Sequence, residues 1–356
     1  MNILHVCGKK DWGGGENQLL LTIKEIEKNN QINQFILCPS NSLIFKNLQA
    51  ENLQAKIFTS PKNINIDPRF IYFIYKIVKN KKIDIIHVHD PDAHSLVIFA
   101  IDIFKLNAKV VLHKKTIFPI KNKKYSVYKY NHRAIKHIIC VSEASKKSIE
   151  NTIVNIPITV IHDAINIKEI GVYEREKNNI YTVLNVSNHT RHKNLNTLID
   201  IAHQCVNIEK LPFKFIQIGH GKLTEDLIKK RDEFNLQDSF QFLGFINDVD
   251  HYYKTSDAFL LTSVREGLGV SILEASLYKL PIVSSNVGGI PEIIENNKNG
   301  LLCDYNDVND YVENLKRIFE SKELVDKLTR NAHQKVLEDF LPNVLIDKLI
   351  KIYLSI

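Results

Sequence analysis

The chain has 356 residues, of which 44% are hydrophobic and 24% charged, with a formal net charge of +7. This length and balance predict a globular protein of two ordinary domains, each able to bury a core. They exclude a membrane-spanning helix, because no apolar run approaches the ~20 residues such a helix needs.

The opening residues, Met1 to Val6, read as a first strand; they carry no basic region or cleavage site of a secretory leader. Five scattered cysteines (Cys7, Cys38, Cys140, Cys205 and Cys303) form no CxxC pair, which suits small buried thiols in a reducing cytosol. Charge is unevenly spread. Residues 1–168 hold 25 Lys and Arg against 13 Asp and Glu, a balance of +12 that leaves −5 for the rest. Ten basic residues and no acidic one lie between Ile103 and Ser142, from Lys105 to Lys136. An anionic partner for the first half is one reading of this stretch; compositional bias toward Lys, Asn and Ile is the other.

In chain order, short apolar runs alternate with segments of helical period, the α/β pattern. The strands expected in the first half are Asn2–Gly8, Gln34–Pro39, Ala55–Ser60, Ile83–Asp90, Lys109–Lys114, His137–Ser142 and Thr159–His162. Their continuous apolarity predicts a parallel sheet buried on both faces. A polar stretch, Asn166–Asn179, reads as a linker. The pattern restarts with Thr182–Ser187, Lys214–Gly219, Phe240–Gly244, Ala258–Ser263, Pro281–Ser285 and Gly300–Cys303, and residues 307–356 are helical in period with a break at Pro342. The expected organisation is a first domain over 1–165, a linker over 166–180, a second domain over 181–338 and a final helix, 339–356, crossing back to the first domain. Two doubly wound domains would face each other across a ligand cleft.

The richest segment runs from Ser263 to Ala275. A strand ends, a turn holds Arg265, Glu266, Gly267 and Leu268, and a helix begins near Gly269 and continues through Val270, Ser271 and Glu274. Free amides at a helix start, with the positive end of its dipole, suit a diphosphate. Glu266 on the turn and Glu274 within the helix reach different parts of one ligand, such as a sugar ring and a ribose, whose vicinal hydroxyls can donate to a carboxylate. One helix and one strand later, Gly288-Gly289-Ile290-Pro291-Glu292 reads as a second helix start at the same cleft. After the first strand of the second domain comes Asn188-His189-Thr190-Arg191-His192-Lys193, whose Arg191 and Lys193 would neutralise charge on a leaving diphosphate. Near the N-terminus, Gly13, Gly14, Gly15 and Glu16 form a glycine turn opening a helix; the spacing is not that of a dinucleotide fingerprint.

These four stretches, in this order, resemble the retaining glycosyltransferases of family 4 (glycosyl transferases group 1), which have the GT-B fold. The likeness covers nearly the whole chain. It implies that Glu266 contacts the donor sugar, Glu274 the ribose, and Gly267, Leu268, Gly269, Val270 and Ser271 the sugar and phosphates. It also implies that Lys193 and Arg191 serve the leaving group. The family's Arg usually lies five residues before the Lys, where this chain has Asn188. Gly219-His220-Gly221 matches the nucleotide-side turn, with His220 where an acid is more usual. Gly13 to Glu16 match an acceptor or phosphate loop, and His113, ending Val110-Val111-Leu112-His113, stands where members place a His beside the donor sugar.

The expected activity is therefore hexosyl transfer with retention from a nucleoside-diphosphate sugar, UDP favoured and GDP second. The expected acceptor is a glycan or lipid-linked hydroxyl in cell-surface polysaccharide or lipopolysaccharide synthesis. No cofactor and no metal are expected. The dense group His87, His89, Asp90, Asp92 and His94 is read as acceptor-facing rather than metal-binding. The protein is expected in the cytoplasm, with Lys105 to Lys136 available to an anionic membrane surface and no nucleic-acid partner. An epimerase of the same architecture, a dinucleotide oxidoreductase and a basic nucleic-acid-binding protein are the competing readings.

Overall fold

A computed structural model describes residues 1–165, 179–246 and 248–356, so almost all of the expected linker lies outside the described residues. The chain divides into two compact units, Met1–Asn166 with Pro342–Ile356, and Ile167–Leu341.

The first unit begins β1 (Asn2–Val6), α1 (Gly14–Ile26), β2 (Asn33–Pro39), α2 (Leu43–Ala50) and β3 (Lys56–Ser60). It continues α3 (Pro68–Asn80), β4 (Ile85–Val88), α4 (Pro91–Phe104), β5 (Lys109–Lys114) and α5 (Lys124–Tyr130), then β6 (Ile135–Cys140), α6 (Glu143–Lys147) and β7 (Ile158–Val160). All seven strands pair in parallel, in the order β3-β2-β1-β4-β5-β6-β7.

The second unit runs β8 (Tyr181–Val186), α7 (Leu195–His203), β9 (Phe213–Ile218), α8 (Thr224–Glu233), β10 (Phe240–Phe242) and α9 (Asp250–Thr255). Then come β11 (Ala258–Leu261), α10 (Val270–Leu277), β12 (Ile282–Ser285), α11 (Ile290–Ile293), β13 (Leu301–Cys303), α12 (Val308–Glu320) and α13 (Lys322–Asp339). Its six strands are also parallel, ordered β10-β9-β8-β11-β12-β13. The last helix, α14 (Pro342–Ser355), belongs to the first unit.

Every expected strand exists, with ends shifted by at most two residues. The strands are apolar without alternation because helices cover both faces: β4, β11 and β12 are buried at every position. Helix starts follow local chemistry. Asp67 and Asp90 cap α3 and α4 ahead of Pro68 and Pro91, whose missing N–H costs nothing at a first turn. The tail breaks once more than its period suggests, at Ser321, whose side chain accepts from Leu324 N and starts α13.

Helix α14 buries Leu345, Ile346, Leu349, Ile352 and Tyr353 against one face of the first sheet, with Ile3, Ile85, Val111 and Ile139 beneath it. That i, i+1, i+4, i+7, i+8 spacing is one helical stripe. In both sheets the strand order reverses once, between β1 and β4 and between β8 and β11. Loops at the carboxyl ends of those two pairs diverge to opposite faces and leave a crevice between them, where doubly wound sheets bind ligands.

Candidate functional site

In the second unit the loops leaving β8 and β11 meet at this reversal. Val264 N donates to His192 O at 2.8 Å, and Thr262 Oγ1 to the carbonyls of Lys193 and Asn194 at 3.2 Å each. Arg191–Lys193 form a single 3-10 turn. The Lys193 ammonium is thereby brought onto the Glu266 carboxylate, and the two make a direct, half-buried ion pair. Ser263 Oγ donates to the same Glu266 oxygen, Oε2, at 3.2 Å.

Glu266 leads directly into α10. Gly269 is its N-cap, with no side chain capping the helix, so the amides of Val270 and Ser271 lack intrahelical acceptors. Leu268 is buried beneath the turn. One turn into α10, Glu274 accepts from the Tyr253 hydroxyl at 2.8 Å.

Two glycines hold this geometry by close approach. Gly288 has φ +59°, and a Cβ there would stand 2.0 Å from Glu266 O; Gly289 N donates to that oxygen at 3.1 Å. Residues 288–289 thus brace the Glu266 turn. The helix start expected at Pro291 is present as α11, with Pro291 in its first turn, but the helix is a single turn of 4 residues, too short for much dipole. Gly219 plays the same part below the β8 turn: a Cβ would lie 2.1 Å from Ser187 O.

Asn188 and Arg191 are both exposed. Among the described residues Arg191 makes no ion pair, so Lys193 alone of the two cations reaches Glu266. The turn that carries them is pinned by two residues sequence reasoning missed. His189 is buried, its Nε2 2.6 Å from Gln217 Oε1 and its Nδ1 2.7 Å from Thr224 Oγ1. Gln217 Nε2 donates to Ser187 O at 2.7 Å, which turns the amide oxygen toward His189 and places a proton on His189 Nε2. A polar residue, Gln217, near the end of an otherwise largely apolar β9 was the available signal.

The first unit carries the glycine turn and His113. Gly13 caps α1, and Lys115 Nζ donates to Gly15 O at 2.7 Å. Glu16 is buried, and burial raises its pKa above the ordinary carboxylate value. Asp90 is corrected from an acceptor-facing acid to a structural one. It is buried, and its oxygens accept from Asp92 N and Ala93 N at 2.9 Å and from Gly8 N at 2.6 Å, tying the β1 and β4 loops together. Asp92 pairs with Lys62 at 3.1 Å, and His94 Nε2 lies 2.9 Å from Lys129 O.

His113 belongs to a buried imidazole cluster. His87 stacks on it with centroids 5.5 Å apart, His89 lies 6.1 Å away, and His5 Nδ1 is 3.0 Å from His89 Nε2. Burial pushes the pKa of His5 down to about 4 and those of His87, His89 and His113 well below the usual value, so the rings are neutral. One nitrogen each of His5, His87 and His89 lie within 4.8 Å of one another. The group holds no carboxylate to offset a dication, and the Lys115 cation acts on it unfavourably. Both His113 ring nitrogens are buried and unpartnered within the protein.

Two all-parallel doubly wound units, the second ending its strands in a Lys–Glu pair beside a bare helix start, define a glycosyltransferase of GT-B fold. The sequence agrees. Residues 12–169 match the glycosyltransferase family 4 model and residues 168–335 the glycosyl transferases group 1 model. The chain belongs to glycosyltransferase family 4. It is 24% identical over 365 residues, covering 96% of this chain and 94% of the relative, to the UDP-Gal:alpha-D-GlcNAc-diphosphoundecaprenol alpha-1,3-galactosyltransferase of Escherichia coli. Among solved structures, Anabaena Alr3699/HepE in complex with UDP and glucose superposes with a TM-score of 0.84 at 19% identity over 100% of both chains. A point mutant of Staphylococcus aureus TarM in complex with UDP gives 0.79 at 14% identity over 98% of this chain and 99% of that one. These likenesses favour the transferase over the epimerase.

Proposed function

We propose that this glycosyltransferase moves a sugar from UDP to a hydroxyl of a glycan or lipid-linked acceptor in cell-surface polysaccharide or lipopolysaccharide assembly, with retention and without a metal. The observation that carries the reading is the convergence of Lys193, Glu266 and the α10 amides at the β8/β11 reversal. The E. coli relative's name supplies a UDP donor and a lipid diphosphate acceptor, and the Anabaena protein binds UDP and glucose.

In this reading the diphosphate lies on the α10 start, Glu266 accepts from sugar hydroxyls and Glu274 from the ribose. Asn188 and Gly219 line the nucleotide-side turns. As the bond from the anomeric carbon to the phosphate oxygen breaks, its electron pair stays on that oxygen. Lys193, with Arg191 beside it, and the amides of Val270 and Ser271 stabilise the growing charge, the part a metal ion plays elsewhere. The departing oxygen takes the acceptor proton, and the acceptor oxygen bonds to the same face of the sugar. His113, neutral, serves as a hydrogen-bond partner for a sugar hydroxyl, and residues 13–16 receive the acceptor or a phosphate.

A panel of UDP- and GDP-sugars with and without EDTA, followed by NMR of the product's anomeric configuration, tests the reading. Retention and EDTA-insensitive transfer from a UDP-sugar support it; inversion or loss of activity with EDTA contradicts it.

No helix among the described residues is long and apolar enough to cross a membrane. The proposal for the basic stretch is peripheral binding to anionic lipid on the cytoplasmic face. In its support, α5 bears exposed Tyr125 and Tyr128 among Lys121, Lys123 and Lys124, amphipathic rings beside cations. No nucleic-acid partner is proposed.

A further inference from the structure

Tyr253 sits on α9 with its side chain fully buried, yet its hydroxyl meets a carboxylate of the proposed donor site, Glu274 Oε2, at 2.8 Å. We infer that Tyr253 is a positioning residue that fixes the orientation of Glu274 and so sets the enzyme's recognition of the donor ribose. The inference rests on the reading of Glu274 as the ribose acceptor.

A glutamate has three side-chain torsions, and holding it in one rotamer costs conformational entropy. A hydrogen bond from a neutral hydroxyl to a charged oxygen is strong enough to do so in advance of ligand. Each carboxylate oxygen has two acceptor sites, so the bond from Tyr253 leaves capacity for two vicinal ribose hydroxyls. The phenol itself is rigidly placed. Its ring lies parallel to that of Tyr278, with centroids 5.3 Å apart and planes 4° apart, and Phe259 packs at 6.0 Å. Tyr278 in turn hydrogen-bonds Asp250 at the start of α9. Burial and the nearby Glu274 charge hold the Tyr253 phenol well above its ordinary pKa, so it remains a donor. Phenylalanine would fill the same apolar space; what tyrosine adds is a proton aimed at Glu274.

The test compares binding of UDP with 2′,3′-dideoxy-UDP by calorimetry, alongside donor kinetics and thermal unfolding. Wild type should prefer UDP by about tenfold or more, and Tyr253→Phe should cut that preference to about two- to threefold while the donor KM rises about fivefold and kcat changes less than about twofold. Glu274→Gln should abolish the preference, and Tyr253→Phe should add nothing in that background. Restoring a hydroxyl with 3,5-difluorotyrosine at 253 should restore the preference, which separates the hydrogen bond from packing should Tyr253→Phe unfold. Full preference in Tyr253→Phe, with Glu274→Gln still losing it, overturns the inference and leaves the reading of Glu274 standing. Wild-type indifference to the ribose hydroxyls removes that reading itself.

Discussion

Lys193 and Glu266, 73 positions apart in sequence, form a direct ion pair at the carboxyl ends of β8 and β11. A donor engaging both must exchange this pair for two contacts of opposite kind, sugar hydroxyls on the carboxylate and diphosphate on the ammonium. Partial exposure keeps the pair's own stabilisation small, so the exchange is inexpensive. Glu266→Gln should therefore leave UDP binding unchanged or tighter, because the ammonium is released to the diphosphate. Transfer should fall about 100-fold, as when a group acting in the transition state is lost. Calorimetry with UDP beside initial-rate kinetics checks both halves. Parallel loss of UDP binding and turnover would mean that Glu266 holds the site's structure rather than the sugar.

Gly288 touches the same turn from below. Its φ of +59° and the 2.0 Å approach of a Cβ to Glu266 O leave no place for a side chain. Gly288→Ala should destabilise the protein by about 1–3 kcal/mol through backbone strain and raise the donor KM by displacing Glu266. Thermal unfolding and donor titration measure the two effects; wild-type values in both would contradict the bracing role.

The imidazole cluster predicts a pH dependence of stability. Folded His5 titrates at about 4, and His87, His89 and His113 lie well below the ordinary value of 6.5, all held down mainly by burial. Below pH 6.5 the unfolded chain binds protons that the folded chain refuses. Stability is thus intact above that pH and is lost as the pH falls toward 4, by up to about 1.4 kcal/mol per pH unit for each histidine. Urea unfolding midpoints should drop steeply between pH 6.5 and 5. His5→Gln and His89→Gln should each flatten the slope. A pH-independent midpoint over that window would show that the cluster accepts protons while folded.

Peripheral membrane binding is tested with anionic and neutral vesicles. Each lysine near an anionic surface contributes about 1 kcal/mol, so replacing Lys121, Lys123 and Lys124 by Gln should weaken binding on the order of 100-fold, and raised salt should weaken wild-type binding. Binding that ignores salt and lipid charge would remove the membrane proposal while leaving the sugar chemistry untouched.

Much of the frame was legible because buried parallel strands are apolar at every position, and β1, β4, β8 and β11 advertise themselves. So was the loop from Ser263 to Glu274, whose glycines and acids lie close together in sequence. Contacts made through topology were not. His5, His87 and His113 come from β1, β4 and β5, which only the strand order makes neighbours. Tyr253 stands 21 residues before Glu274 on a short polar helix with no pattern of its own. Asp90-Pro91 imitated a ligand site because an N-cap acid followed by Pro has the same composition as an exposed acidic motif. Gly288-Gly289-Ile290-Pro291 showed the start of α11 in its composition, but not the approach of its glycine backbone to Glu266 O.

Single-turnover transfer from a UDP-sugar by wild type and Lys193→Ala tests most directly whether the β8/β11 reversal is the reacting centre. If Lys193 stabilises the leaving diphosphate, the variant's rate should fall by about 100- to 1,000-fold with the fold intact by circular dichroism. Transfer at the wild-type rate by a folded Lys193→Ala protein would contradict the assignment of the β8/β11 reversal as the reacting centre.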